Sequence, residues 1–231
     1  MSLLDGLFDT ITEGWDDTFL LPDFEYYSQR DNSIAPNISC FPTSMAMAMN
    51  HCLSLEGLDK EAIGCAADMQ IEDYINESIE STEVKNWMKR NFRRSWWGWK
   101  YRNKRTIFSV EIKVFNLLMN PIGFTASYTG ELTYDMYCAH MYYTSLPIVL
   151  SGNFKSVSRV GGHIVCGIGY NKKGLGEVIV HDPFGNALNG YPRGQSIARN
   201  NAAGTARQYG TRFFIRNNKG HMRAVMIERV E

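Results

Sequence analysis

A cysteine at the start of a predicted helix is the residue of this sequence best suited to nucleophilic chemistry. Cys40 follows a polar loop, and Pro42, in a first-turn position, opens an apolar pattern of helical spacing that ends near Gly57. Thiol chemistry requires the thiolate, and the positive end of a helix favours that charged form. We therefore interpret Cys40 as a candidate nucleophile.

The partners that such a nucleophile requires stand later in the chain. His163 opens a predicted strand after two glycines, and Asp182 ends the next predicted strand, which returns beside the first after a turn. A histidine that activates a thiol needs a third group to orient its ring. We expect Cys40, His163 and Asp182 to act as nucleophile, base and orienting group. We also expect Gly162 to leave room beside His163 for a substrate.

Two other histidines lie close to these candidates in the sequence. His51 is on the predicted helix after Cys40, where we expect it to pack or to face solvent. His181 adjoins Asp182, and in a regular strand its side chain must point to the opposite face. His163 is therefore the better candidate base.

The order of the predicted elements indicates the fold class. Helical patterns come first and short β-prone runs come later, which is typical of an α+β domain with an antiparallel sheet. The predicted helices cover 40–57, parts of 58–94, 109–120 and 132–143, and the predicted strands cover 146–150, 164–168, 177–180, 211–215 and 224–227. We expect a single domain over 1–231, with a lead-in segment at 1–24, an insertion at 85–105 and a long loop at 185–210.

Composition argues against several classes of function. Lys plus Arg and Asp plus Glu each number 24, so no net charge draws the chain to nucleic acid or to an anionic membrane. The five cysteines lack zinc-type spacing, as do His140 and His221, so we predict no metal and no cofactor. Neither a signal peptide nor a membrane span is predicted. We expect synthesis in the cytoplasm, with later release or virion association left open.

The insertion at 85–105 combines basic residues with tryptophans. Trp97 and Trp99 are candidate substrate-binding residues, because tryptophans can line a groove. The segment could also contact an anionic wall polymer, a membrane surface or nucleic acid. A solvated basic face that pairs with the acidic helix before it is the simplest interpretation, and we do not expect a nucleic-acid partner.

Four stretches of the chain form a set of motifs: YYSQRD at 26–31, CFPTSMAM at 40–47, GGHIVCGIGY at 161–170 and VHDPFG at 180–185. Together they resemble papain-like cysteine peptidases of the double-glycine-leader, bacteriocin-processing kind, over roughly residues 25–185. The resemblance implies a papain-like fold. Its N-terminal helical half would carry the nucleophile helix, and its C-terminal half would be the antiparallel sheet.

The resemblance also implies roles for individual residues. By motif position, Gln29 would donate its side-chain amide to the oxyanion, and the main-chain N–H of Cys40 would be the second donor. His163 and Asp182 match the general base and its orienting group. Phe41 stands where the family commonly has Gly, and the gap between Gln29 and Cys40 is longer than the commonest spacing.

These residues predict a thiol-dependent peptidase or amide hydrolase. Free-standing relatives of this kind resemble domains of bacterial and bacteriophage proteins, and some act on cell-wall peptides. The resemblance therefore suggests peptidoglycan peptides or a protein as the substrate. Two alternatives stay open. One is an acyl transferase of transglutaminase type, which passes the acyl group to an amine. The other is a non-catalytic binding module that keeps the papain-like fold.

Overall fold

The computed structural model describes residues 16–92, 104, 106–158, 162–189, 206–216 and 219–230. A seven-stranded antiparallel sheet runs through this part of the chain, with helices on both faces. Cys166 in the sheet faces Cys52 of one helix, and the next residue, Gly167, faces Tyr137 of another. This arrangement confirms the α+β class that the order of elements predicts, and it agrees with the papain-like fold that the motif resemblance implies.

The strands are ordered so that the latest in sequence lies inside the sheet. They are β1 Thr18–Leu20, β2 Phe124–Leu132, β3 Ile148–Asn153, β4 Gly162–Asn171, β5 Glu177–His181, β6 Arg207–Gly210 and β7 Met222–Arg229. The order across the sheet is β2-β7-β3-β4-β5-β6, and β1 also pairs with β4. The strands β3, β4 and β5 are therefore central neighbours, and their ends position the candidate site.

The helices pack against particular strands of this sheet. They are α1 Cys40–Leu55, α2 Ile71–Ile79, α3 Thr82–Asn91, α4 Phe108–Met119, α5 Tyr134–Thr144 and the short α6 Lys155–Ser158. Helix α1 packs on β4 and α4 packs on β2, while α2 contacts both of these helices. The start of α1 consequently lies close to the strand that carries His163.

Helix α1 is buried on nearly all sides. Its methionines and alanines at 45–49 and its Cys52 and Leu53 belong to the core. The helix ends at Leu55, and Gly57 follows with a φ of 65°, a left-handed conformation that favours glycine. Because α1 is enclosed by the sheet and by α2 and α4, the position of its first residue is fixed by packing on all sides.

Several predicted elements differ from the observed ones. The predicted strand at 211–215 is wrong: Thr211–Phe213 is a 3₁₀ helix, and the strand β6 comes just before it, inside the predicted loop at 185–210. Strand β2 was not predicted at all, although it pairs with β7 along much of its length. Helix α4 begins at Phe108, one residue before the start of the predicted helix at 109–120.

The lead-in segment contributes a strand to the sheet. In its described part, β1 pairs with the end of β4, and Phe19 stacks on Tyr170 with ring centroids 5.7 Å apart. The approach is close, because a Cβ at Gly169 would lie 2.2 Å from the Phe19 carbonyl oxygen. None of the helices in the described ranges is both long and apolar enough to cross a membrane.

Candidate active site

Cys40 is the first residue of α1. The first N–H groups of a helix have no partner inside the helix, so the Cys40 main-chain N–H is directed out of the start of α1. Cys40 is partly exposed, whereas Cys52, Cys65, Cys138 and Cys166 are buried, and all five are free thiols. The cysteine at the helix start is therefore the one that a solute can reach.

His163 and Asp182 form a buried pair at the ends of neighbouring strands. His163 is the second residue of β4, and Asp182 directly follows β5. His163 Nε2 lies 2.7 Å from Asp182 Oδ1, to which it donates a hydrogen bond. The His163 ring also interacts with the Cys40 side chain. The three residues that the sequence singles out thus lie together, in the order Cys40, His163, Asp182.

The groups around His163 determine whether its ring is protonated. Burial alone would lower the pKa of His163, but the Asp182 carboxylate and the Cys40 side chain raise it, and the net result is a pKa of about 10. The imidazole is therefore protonated at neutral pH. A protonated imidazole beside Cys40 is a proton donor at the start of α1.

Asp182 is held by donors on both of its carboxylate oxygens. Oδ1 accepts from His163 and also from the Phe184 main-chain N–H at 3.0 Å. Oδ2 accepts from the Tyr209 hydroxyl at 2.8 Å. Tyr209 was not predicted, because it lies on β6 beyond the loop and no local pattern distinguishes it from other tyrosines of the chain.

The loop between Gln29 and Cys40 is fixed by a carboxylate on α2. Asp73 accepts hydrogen bonds from the Ser33 N–H and hydroxyl, at 3.1 and 2.7 Å, and from the Ile34 N–H at 3.2 Å. The Ser39 hydroxyl donates back to the Ala35 carbonyl at 2.7 Å. Asp73 was not predicted as a site residue, since the sequence shows only an acid among the other acids of an amphipathic helix.

Gln29 lies at the start of this loop and is buried. Its main-chain N–H donates to the carbonyl of Pro183, the residue after Asp182, at 2.9 Å. Its side-chain Nε2 donates to the Pro36 carbonyl at 2.8 Å. An amide nitrogen has two hydrogens, so one donor of Nε2 is left after this bond.

The remaining predicted residues have different surroundings. Gly162 is exposed, and a Cβ there would meet none of the described atoms within 4 Å. Trp97 and Trp99 lie outside the described residues. Of the insertion at 85–105, Lys85 and Lys104 are described in ion pairs with Glu80, at 3.5 and 2.5 Å.

Two other histidines, His181 and His51, are buried and contact residues outside the candidate triad. His181 points away from the site and packs edge-on against Phe24 and Tyr26. His51 Nε2 donates a hydrogen bond to the Ser145 carbonyl, 3.0 Å away. Within the described ranges, no group of three His, Cys, Asp or Glu residues could hold a metal ion.

A histidine–aspartate pair on an antiparallel sheet, beside a helix that begins with a cysteine, is the arrangement of papain-like cysteine peptidases. The chain belongs to the Peptidase_C39 like family, whose family model matches residues 21–209. The match runs from before Gln29 to β6. Membership of this family points to a cysteine peptidase with a peptide substrate. No curated protein and no solved structure matches the chain.

Proposed function

We propose that the protein is a thiol-dependent peptidase in which Cys40, His163 and Asp182 form the catalytic triad. The observation that carries the proposal is the 2.7 Å contact between His163 and Asp182, together with the interaction of His163 with Cys40 at the start of α1. Cys40, His163 and Asp182 thus lie in the spatial order of nucleophile, base and orienting group that thiol catalysis requires.

The reaction follows from these positions. The sulfur of the Cys40 thiolate forms a bond to the carbonyl carbon of the scissile amide, and the electron pair of the C=O π bond moves onto the carbonyl oxygen. His163 then gives its proton to the leaving amine as the C–N bond breaks, which leaves a thioester on Cys40. Water adds to the thioester, His163 takes the proton of that water, and the C–S bond breaks to release the acid product and restore the Cys40 thiolate beside the protonated imidazole.

The oxyanion requires two donors. The Cys40 main-chain N–H is one, because it opens α1 and has no intrahelical partner. The remaining N–H of Gln29 Nε2 is the other, with the amide held in place by its bond to Pro36. Losing one such donor costs about a hundred- to a thousand-fold in rate, so Gln29→Ala is expected to slow turnover by that order.

The substrate class is the open part of this proposal. Peptidoglycan peptides and a protein, such as a leader peptide with a double-glycine end, are the candidates that the family resemblance suggests. A screen of muropeptides and of synthetic leader peptides, read by mass spectrometry, separates them. Adding a primary amine to each reaction shows whether water or an amine accepts the acyl group.

The activated thiol is testable without knowing the substrate. Alkylation of Cys40 by iodoacetamide is to be measured from pH 5 to pH 10 by peptide mass spectrometry, in the wild type, in His163→Ala and in the control His221→Ala. We expect Cys40 to react readily at pH 6, where an ordinary thiol with a pKa of about 8.5 is largely protonated. His163→Ala should lose this reactivity at pH 6 by about tenfold or more, and His221→Ala should keep it.

One result would overturn the proposal. If Cys40 reacted with the same pH dependence in the wild type and in His163→Ala, the two residues would not form an activated pair. The binding-module alternative would then be the better interpretation.

A further inference from the structure

Tyr209 contacts the candidate triad from outside it. It lies on β6, paired in register with Val178 of β5, and its side chain is fully buried. Its hydroxyl is 2.8 Å from Asp182 Oδ2, the carboxylate oxygen that does not face His163. A strand that lies after the 190–205 segment thus reaches the orienting group of the site.

The direction of the hydrogen bonds at this hydroxyl is fixed. The Ala187 main-chain N–H lies 2.9 Å from the Tyr209 oxygen and can only donate. The oxygen therefore accepts from Ala187, and its single proton is directed to Asp182. Burial and the nearby Asp182 carboxylate raise the pKa of Tyr209, so the phenol stays protonated and remains a donor.

We propose that Tyr209 is a positioning residue that holds the Asp182 carboxylate toward His163 and withdraws part of its negative charge. This inference rests on the proposed function. With Tyr209 on Oδ2, the carboxylate cannot exchange its two oxygens by rotating, so Oδ1 stays on His163. A hydrogen bond also disperses the carboxylate charge, which moderates how strongly Asp182 holds the imidazole proton.

Phe154 completes this side of the site. Its ring lies 5.2 Å from the Tyr209 ring and 5.9 Å from the His163 ring, edge-on in both cases. Phe154, Tyr209 and Asp182 are all buried, so the hydrogen bonds of Asp182 are closed off from water. In such surroundings the loss of one hydrogen-bond donor strongly destabilises the charged carboxylate, because no water molecule replaces the donor.

The charge on His163 can be read from two alkylating reagents. Iodoacetate is an anion and is attracted by an imidazolium beside the thiolate, whereas iodoacetamide is neutral. The ratio of the two rates at Cys40 therefore falls as His163 loses its proton. The experiment measures this ratio from pH 6 to pH 11 in the wild type, Tyr209→Phe and Tyr137→Phe.

Tyr137→Phe is a matched control. Tyr137 is also fully buried and also donates from its hydroxyl, to the Gly169 carbonyl at 2.8 Å, away from the site. Tyr209→Phe should move the alkaline midpoint of the ratio upward by roughly half a unit to one unit, since Asp182 then holds the proton more strongly. Tyr137→Phe should leave the midpoint unchanged.

The outcomes separate this inference from the proposed function. A wild-type ratio with no alkaline fall, or one that His163→Ala does not abolish, overturns the proposed function. A normal wild-type fall with an unmoved or lowered midpoint in Tyr209→Phe, or an equal shift in Tyr137→Phe, overturns only the role of Tyr209.

A measurement on the wild type covers the case in which Tyr209→Phe does not fold. The hydroxyl proton of Tyr209, buried and bonded to a carboxylate, should give a downfield NMR signal that exchanges slowly. We expect this signal to shift as His163 titrates, because both groups share Asp182. A signal that stays constant through that titration contradicts the proposal.

Discussion

Cys40 differs from the other cysteines in its surroundings. Burial raises the pKa of Cys52 and of Cys138 to about 12, and that of Cys166 well above its ordinary value. These thiols stay protonated over the range in which most enzymes work, and they are closed off from solutes. Reagents that attack thiolates should therefore act at Cys40, which makes alkylation a clean measurement of this one residue.

Gly162 offers a test of where a substrate lies. No described atom would meet a Cβ there, so Gly162→Val should fold normally, with an unfolding temperature equal to or above that of the wild type. If a peptide passes over Gly162, the added side chain should displace a bound peptide chloromethyl ketone from its reactive position. Inactivation by this reagent should then be slower by about tenfold or more. Iodoacetamide, which is small, should react as before. Equal slowing of both reagents would argue against a peptide path over this glycine.

At the level of residues, the sequence predicts those with a local signature. Cys40 stands at a helix start, His163 follows two glycines at a strand start, and Asp182 ends the next strand. The contact between His163 and Asp182 follows from the antiparallel pairing of β4 and β5, and Cys40 joins them because α1 packs on β4. Tyr209 and Asp73 have no such signature, because their roles depend on which distant atoms their side chains reach.

The loop before α1 is an element without regular structure that is nevertheless well anchored. Three hydrogen bonds tie it to Asp73 on α2, through Ser33 and Ile34. The hydrogen bond from Gln29 Nε2 to the Pro36 carbonyl links two residues of the loop to each other. The longer gap between Gln29 and Cys40 is therefore compensated by contacts with a neighbouring helix.

Removing this anchor should loosen the loop. In Asp73→Ala the amides of Ser33 and Ile34 lose their acceptor, and we expect their hydrogen exchange to speed up by about tenfold or more. Glu77→Ala removes a carboxylate from the same helix at an exposed position and serves as the control. Cys40 alkylation at pH 6 should also fall in Asp73→Ala. Unchanged exchange at both amides would mean that the loop holds its shape without Asp73.

Regular elements were predictable where their pattern was local. Helix α1 and strands β4 and β5 have clear apolar periodicity and turn signals. Strand β2 was missed because it is an edge strand with mixed exposure, so neither alternation nor a continuous apolar run is clear. The predicted strand at 211–215 has a β-prone composition, but its residues turn in a 3₁₀ helix and Phe213 and Phe214 pack into the core instead.

On the scale of the whole molecule, His140 and His181 reduce the free energy of unfolding at low pH, and the contribution of His163 to it is lost at high pH. Burial lowers the pKa of His140 and of His181 to about 4, so the unfolded chain binds more protons than the folded one between roughly pH 6.5 and 4. Stability is therefore lost as the pH falls through that window. His163, with a raised pKa, stabilises fully below about pH 6.5, and its contribution is lost as the pH rises toward 10.

Urea unfolding at a series of pH values tests this balance. We expect a maximum of stability near pH 6–7, with an acid decline that is shallower in His181→Gln by about 1–3 kcal/mol between pH 7 and pH 4. The same variant should keep the alkaline decline. An acid decline as steep as that of the wild type would assign it to other groups.

The strand order across the sheet was beyond prediction from sequence. The order of helices before strands indicates the fold class, but the insertion of β7 between β2 and β3 depends on pairing between segments far apart in the chain. Local sequence patterns do not indicate which distant strands pair.

The position of β7 also bears on when the site can form. The ribosome delivers Cys40, His163 and Asp182 before it delivers Met222–Arg229, yet that strand joins β2 to β3 and completes the sheet. Until it arrives, β2 has no neighbour in the sheet, and long-range pairing of this kind is slow to form. The sheet that carries the candidate site is therefore complete only after Met222–Arg229 has been synthesised.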